Sequence, residues 1–122
     1  KAKHHSQTQL TLGLKNLMGV NFNRQAWHSS PDLAQYIADY ASAVAVDLTV
    51  MDASRILVTN GPKGPGKTRE PGEVIVSFDP VAADAYACGL FDLEPSAVPY
   101  IGKAADLGLG EGSSSNIVVR RA

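Results

Sequence analysis

Apolar and polar positions along this chain follow two periods, one of about 3.6 residues and one of 2. In Thr8–Met18 the residues Leu10, Leu14, Leu17 and Met18 stand at i, i+4, i+7 and i+8, a helical stripe with Gly19 as its stop. Leu10, Leu12 and Leu14 also alternate as a strand would, but the segment is read as a helix. Residues 21–29 show no period and read as loop. Ser30-Pro31-Asp32 then marks a helix start: serine caps, proline fits the first turn and aspartate suits the positive end of the dipole. Leu33, Ile37, Tyr40, Ala41 and Val44 form the buried stripe of that helix, which runs to about Ala45.

Val46–Met51 and Ile56–Thr59 predict strands. Asn60–Gly72 carries four glycines and three prolines and predicts a loop. Val74–Phe78 predicts a third strand, and Asp79-Pro80 opens a helix to about Gly89. Pro95–Leu107 predicts another helix stopped by Gly108; residues 108–115 predict loop, and Ile117–Arg120 a last strand. Helices alternating with strands place the chain in the α/β class, with a mixed or mainly parallel sheet and flanking helices. Such sheets gather ligands at the carboxyl ends of their strands. Asp52 follows the first predicted strand, and Ser77 and Asp79 end the third.

Composition narrows this picture. The 122 residues suit a single domain or the C-terminal portion of a larger one, and 44% hydrophobic with 19% charged residues is enough for a core. Eleven basic and twelve acidic residues leave a net charge of -1, which argues against nucleic acid as a partner. No apolar run approaches the roughly 18 to 20 residues of a membrane helix, so a soluble chain is expected. The chain opens on Lys1 rather than methionine, as a fragment or a product trimmed of its start would, and the compartment is not readable. Cys88 is the single cysteine and lies in an apolar stretch, as a buried core thiol. One cysteine makes no internal disulfide, and no iron–sulfur cluster or cysteine-built zinc site is expected in this chain.

Gly61–Thr68 satisfies the Walker A pattern G-x-x-x-x-G-K-[ST] at every position. That motif cradles phosphates with consecutive backbone N–H groups ahead of a helix. Pro62 and Pro65 each remove a donor, and Pro71-Gly72 stops any helix after Thr68. A mobile basic loop is expected instead, with Lys63, Lys67 and Arg69 as a weak anion-holding set. His4 and His5 are adjacent, so their side chains diverge; no metal site is expected, and the segment reads as an exposed terminus. His28, after Trp27, is a candidate ligand or base. Lys15-Asn16 interrupts an apolar run, either to present an ammonium and an amide to one ligand or as the solvent face of a helix. Asp79 reads as a helix cap. Asp84 sits in an uncharged stretch and must face water or have a partner. No nucleophile elbow, zinc spacing or dinucleotide fingerprint is present.

Four stretches resemble the domain of unknown function 362 family. Lys1-Ala2-Lys3-His4-His5 is similar to its K-x-K-x-H, Thr11 to Gly19 to its T-x-x-x-K-N-x-x-G, and Ser77 to Asp84 to its S-x-D-P-V-A-x-D. The turns Asn60-Gly61-Pro62 and Leu107-Gly108-Leu109-Gly110 also fit. The resemblance implies an association with iron–sulfur proteins, because many members carry a separate cysteine-rich segment, and it points to Lys15, Asn16, Asp79 and Asp84. The leading expectation is a redox-associated ligand-binding or enzymatic domain. In it His5, Lys15, Asn16, Asp52, Asp79 and Asp84 line a polar cleft at the sheet's carboxyl edge, with His28 as a further candidate. The alternatives are an interaction module docking to the rest of its own chain or an iron–sulfur domain, and a nucleotide-binding enzyme using Lys67 and Thr68. Substrate and cofactor are not readable.

Overall fold

The computed structural model describes residues 1–122, the side chain of Arg24 apart. Eleven strands and α-helices follow one another: β1 (Lys3–His5), β2 (Gln9–Thr11), α1 (Gly13–Asn16), α2 (Arg24–His28), α3 (Leu33–Ala43), β3 (Thr49–Ala53), β4 (Ile56–Leu57), β5 (Thr68–Arg69), β6 (Glu73–Ser77), α4 (Pro80–Cys88) and α5 (Pro99–Asp106). The class is α/β with a mixed sheet. A four-stranded sheet runs β2-β1-β4-β5, with β1 and β4 parallel and both outer pairs antiparallel. A separate antiparallel ribbon pairs β3 with β6.

The supposed exposed terminus is the middle of the larger sheet. Ala2 is fully buried and its N–H donates to the Asp52 carbonyl at 3.0 Å, which ties the start of β1 to the ribbon. The expected helix over Thr8–Met18 is two structures in succession. Gln9 takes a left-handed φ of 62° at the turn between β1 and β2, and Leu10 and Leu12 enter the core as strand alternation dictates. Helix begins only at Gly13, lasts one turn and tightens into a 3₁₀ turn over Leu17–Val20. Both periods in the sequence are therefore used, one after the other.

Other departures have local causes. Residues 24–28 form α2 because Trp27 packs on Tyr36 and edge-on against Tyr40, with ring centroids 5.3 and 5.1 Å away. Five residues are too short for a helical period to show. Helix α3 is capped by Asp32, which accepts the Gln35 N–H at 3.0 Å; Ser30 instead accepts the Asp32 N–H. Strand β3 lies three residues later than Val46 because its partner sets it: Met51 opposite Ile75 faces the core, and Val50 opposite Val76 faces outward. Pro99 splits the helix expected over Pro95–Leu107 by pushing Val98 out of helical geometry, leaving a 3₁₀ turn ahead of α5. Residues 117–120 form no strand, and Val118 is exposed.

The core lies between the sheets and the helices, around Leu10, Leu14, Ile37, Ile56, Val81 and Tyr100. Helix α4 passes through it with Val81, Ala83, Asp84, Ala85, Ala87 and Cys88 buried. Burial pushes the Cys88 thiol up to about 12, so it is an inert core group. The outer face of the ribbon stays open: Val50, Val74 and Val76 are exposed, and Phe78 beyond them is 83% exposed. Among the described residues no helix is long and apolar enough to cross a membrane.

Candidate functional site

The Walker-like string is the connection of a hairpin. It joins β4 to β5, which pair antiparallel with Ile56 opposite Arg69 and Leu57 opposite Thr68. A strand therefore follows Lys67 where a phosphate loop needs a helix. The glycines serve packing: a Cβ on Gly61 would collide with the His4 carbonyl oxygen, and one on Gly66 with the Thr59 carbonyl. The Gly61 N–H is also taken, by His4 Nδ1 at 2.9 Å. Lys63 and Lys67 are exposed. Arg69 is committed to the Asp92 carboxylate at 2.6 Å and the Leu90 carbonyl at 2.8 Å.

The carboxylates do not meet in one cleft. Antiparallel pairing sets Thr49 opposite Ser77 and Ala53 opposite Glu73. Asp52 and Asp79 thus lie toward opposite ends of the ribbon, roughly 15 Å apart at about 3.4 Å per residue. Each has a local use. Asp52 accepts the Ser54 hydroxyl at 2.6 Å and N–H at 2.9 Å and pairs with Lys1 at 3.0 Å, and these contacts hold its carboxyl well below the usual range. Asp79 caps α4 through the Ala82 N–H at 2.8 Å, and its other oxygen accepts the Glu111 N–H at 2.8 Å.

Asp84 is fully buried and reaches across to the start of α1. Leu12, at the cap position of α1, offers no side-chain acceptor. Asp84 supplies it, taking the Gly13 N–H at 2.7 Å and the Leu14 N–H at 3.0 Å. Only glycine suits position 13, since a Cβ there would lie 2.9 Å from Asp84 Oδ1. Burial pushes the Asp84 carboxyl up to about 7 even against these two donors, which favour the charged form.

One turn further, Lys15 points inward and Asn16 outward. Lys15 is only 7% exposed. Among the described residues its ammonium has no hydrogen bond and no carboxylate within ion-pairing distance. Burial and the charge of Lys3 both lower its pKa. His5 is only 5% exposed. Burial, followed by the positive charges of Lys15, His28, Lys3 and His4, drops it to about 4. His5 Nδ1 accepts the Gln7 N–H at 3.2 Å, so the neutral ring carries its proton on Nε2. His28 lies alongside, its ring centroid 6.3 Å from that of His5.

Two residues join this group that the sequence marks as motif positions but not as site candidates. Lys3 shares the face of β1 with His5 by strand alternation, and Thr11 stands opposite Lys3 on β2. The Thr11 hydroxyl oxygen is buried and has no hydrogen-bond partner. The signal for each was its place in a motif: Lys3 is a lysine of K-x-K-x-H and Thr11 the threonine of T-x-x-x-K-N-x-x-G. Lys3, His5, Thr11, Lys15 and His28 thus form a basic, partly desolvated cluster. A depression of about 230 Å³ opens beside Lys3, over Arg55, Leu57 and Thr68. A groove of about 410 Å³ opens beside His28, past Gln7, Thr8, Asp32 and Lys103. Among the described residues no set of three or more His, Cys, Asp or Glu is gathered as metal ligands.

The chain is 31% identical over 116 residues to the thylakoid-associated protein sll1697 of Synechocystis sp. (strain ATCC 27184 / PCC 6803 / Kazusa), an alignment covering 89% of this chain and 36% of that protein. The chain therefore spans about a third of the length of this relative. No solved structure matches it. The model of the domain of unknown function DUF362 matches residues 1–89, which hold β1, α1 and Asp84. The chain belongs to the DUF362 family.

Proposed function

We propose that this chain binds a small anionic ligand on the Lys3, His5 and Lys15 cluster. One observation carries the reading: Lys15 is nine-tenths buried, lacks a carboxylate partner and has cationic neighbours. Taking most of a lysine side chain out of water disfavours its charged form unless a counter-charge is supplied. Asp52 is occupied by Lys1 and Ser54, Asp84 by the start of α1, and Asp32 by Lys103 and Gln35. An incoming anion supplies the missing partner.

The test is thermal unfolding of the chain with millimolar inorganic phosphate or acetate, at constant ionic strength, alongside proton NMR of the His5 ring. A rise in Tm with shifted His5 resonances is expected. An unchanged Tm and unmoved His5 signals with both anions would sink the proposal.

A further inference from the structure

We infer that the site takes the phosphoryl group of a monoester, held by Lys3, His5, Thr11 and Lys15. This rests on the anion-binding reading and narrows it to one ligand chemistry.

The first argument is charge. Lys3 and Lys15 are close enough for the charge of one to disfavour that of the other, and no carboxylate stands between them. A carboxylate ligand brings one negative charge and leaves one ammonium uncompensated. A phosphate monoester brings about 1.5 to 2 near neutral pH, on a single compact group.

The second argument is the count of donors. Lys3 and His5 project from one face of β1, Thr11 is opposite Lys3 in the register, and Lys15 comes up from α1 immediately after β2. Directly opposed residues of an antiparallel pair have Cβ atoms about 5 Å apart, which brings Lys3 and Thr11 together, and the charges of Lys3 and Lys15 are both felt at His5. They offer two ammonium groups, the His5 Nε2–H and the Thr11 hydroxyl. A carboxylate has two oxygens to meet them; a phosphoryl group has three terminal oxygens, each able to accept more than one bond.

The third argument is the Thr11 hydroxyl itself. A buried hydroxyl with no partner is uncommon in a folded protein and calls for a specific reason. It lies at the same register position as Lys3, where a phosphoryl oxygen held by that lysine would accept its proton.

The experiment is calorimetric titration of the chain at pH 7.5 with methyl phosphate, dimethyl phosphate and acetate. Methyl phosphate and dimethyl phosphate share a tetrahedral shape and differ in charge; acetate tests the single carboxylate. Methyl phosphate is expected to bind about ten-fold more tightly than either of the others. Lys3→Met should weaken both anions and remove most of that preference, because methyl phosphate loses more than acetate. Thr11→Val, nearly isosteric, should weaken methyl phosphate by about five-fold with an unaltered circular dichroism spectrum. Equal binding of methyl phosphate and acetate would overturn the phosphoryl assignment and leave the anion site standing. Binding of none of the three would overturn both. Undiminished methyl phosphate binding in both variants would place the anion elsewhere and overturn the assignment.

Discussion

The two ends of α1 hold the two buried charges of this molecule that matter most, and they are handled in opposite ways. At the start, Asp84 is fully buried and both its oxygens accept backbone N–H groups. One turn on, Lys15 is almost as buried and has no acceptor among the described residues. Both interrupt apolar stretches of sequence, so composition alone treats them alike. Satisfaction separates them. Asp84 completes a helix terminus that Leu12 cannot cap, which is a structural task finished within the fold. Lys15 has no such partner, and the proposed anion would supply one.

The largest expected effect breaks the comparison at its satisfied end. Asp84→Ala leaves two buried N–H groups without an acceptor and opens a cavity beside them, a loss of about 4 kcal/mol in urea unfolding. A loss below about 1 kcal/mol would mean that Asp84 is no anchor and that α1 is held by packing alone.

The next effect is a pH slope. His5 is held at about 4 against an ordinary 6.5, so the unfolded chain takes up its proton first as pH falls. Its contribution is intact above 6.5 and is lost progressively down to about 4, a change of about 3 kcal/mol. Asp84 runs the other way. Held at about 7 against 3.8, it is fully favourable below 3.8 and loses stability as pH rises through 7. Between pH 4 and 6.5 the two oppose each other, so the wild-type unfolding midpoint should vary little. His5→Gln should uncover the Asp84 slope, with stability falling as pH rises. A His5→Gln profile that superimposes on the wild type would show that His5 is not held neutral.

The smallest effect sharpens the unsatisfied end. Lys15→Met replaces a largely buried lysine that has no carboxylate partner by an apolar chain of similar length. It should raise stability without ligand by about 1 kcal/mol and abolish the response to phosphate. Destabilisation by a similar amount would mean that the ammonium already has a partner in solution.

Much of this was legible one residue at a time. Asp84 in Val81–Ala87 and Lys15 in Leu12–Gly19 stand out as charges in apolar surroundings. Asp79-Pro80 was legible as a helix start because caps act within a few residues. What stayed hidden depends on distant partners. The bond from Gly13 to Asp84 spans 71 positions. The separation of Asp52 from Asp79 depends on β3 and β6 running antiparallel, whereas the alternation of helices and strands suggested parallel neighbours. β1 is only three residues long and shows its value only through β2 and β4 on either side. The cluster was half visible for the same reason: His5, Lys15 and His28 are conspicuous residue types, while Thr11, though a motif position, gains a reason only once its hydroxyl is seen to be stranded.

The hairpin between β4 and β5 shows how one amino acid can answer two unrelated demands. In a nucleotide loop, glycine is required so that a backbone can come close to a phosphate. At Gly61 and Gly66 it is required so that the chain can come close to itself, against His4 and Thr59. The Gly61–Thr68 string records a meeting of two stretches of backbone, and it fixes that corner of the sheet beside His4, the immediate neighbour of His5. A pattern borrowed from one kind of chemistry thus marks, in this protein, a brace standing next to another.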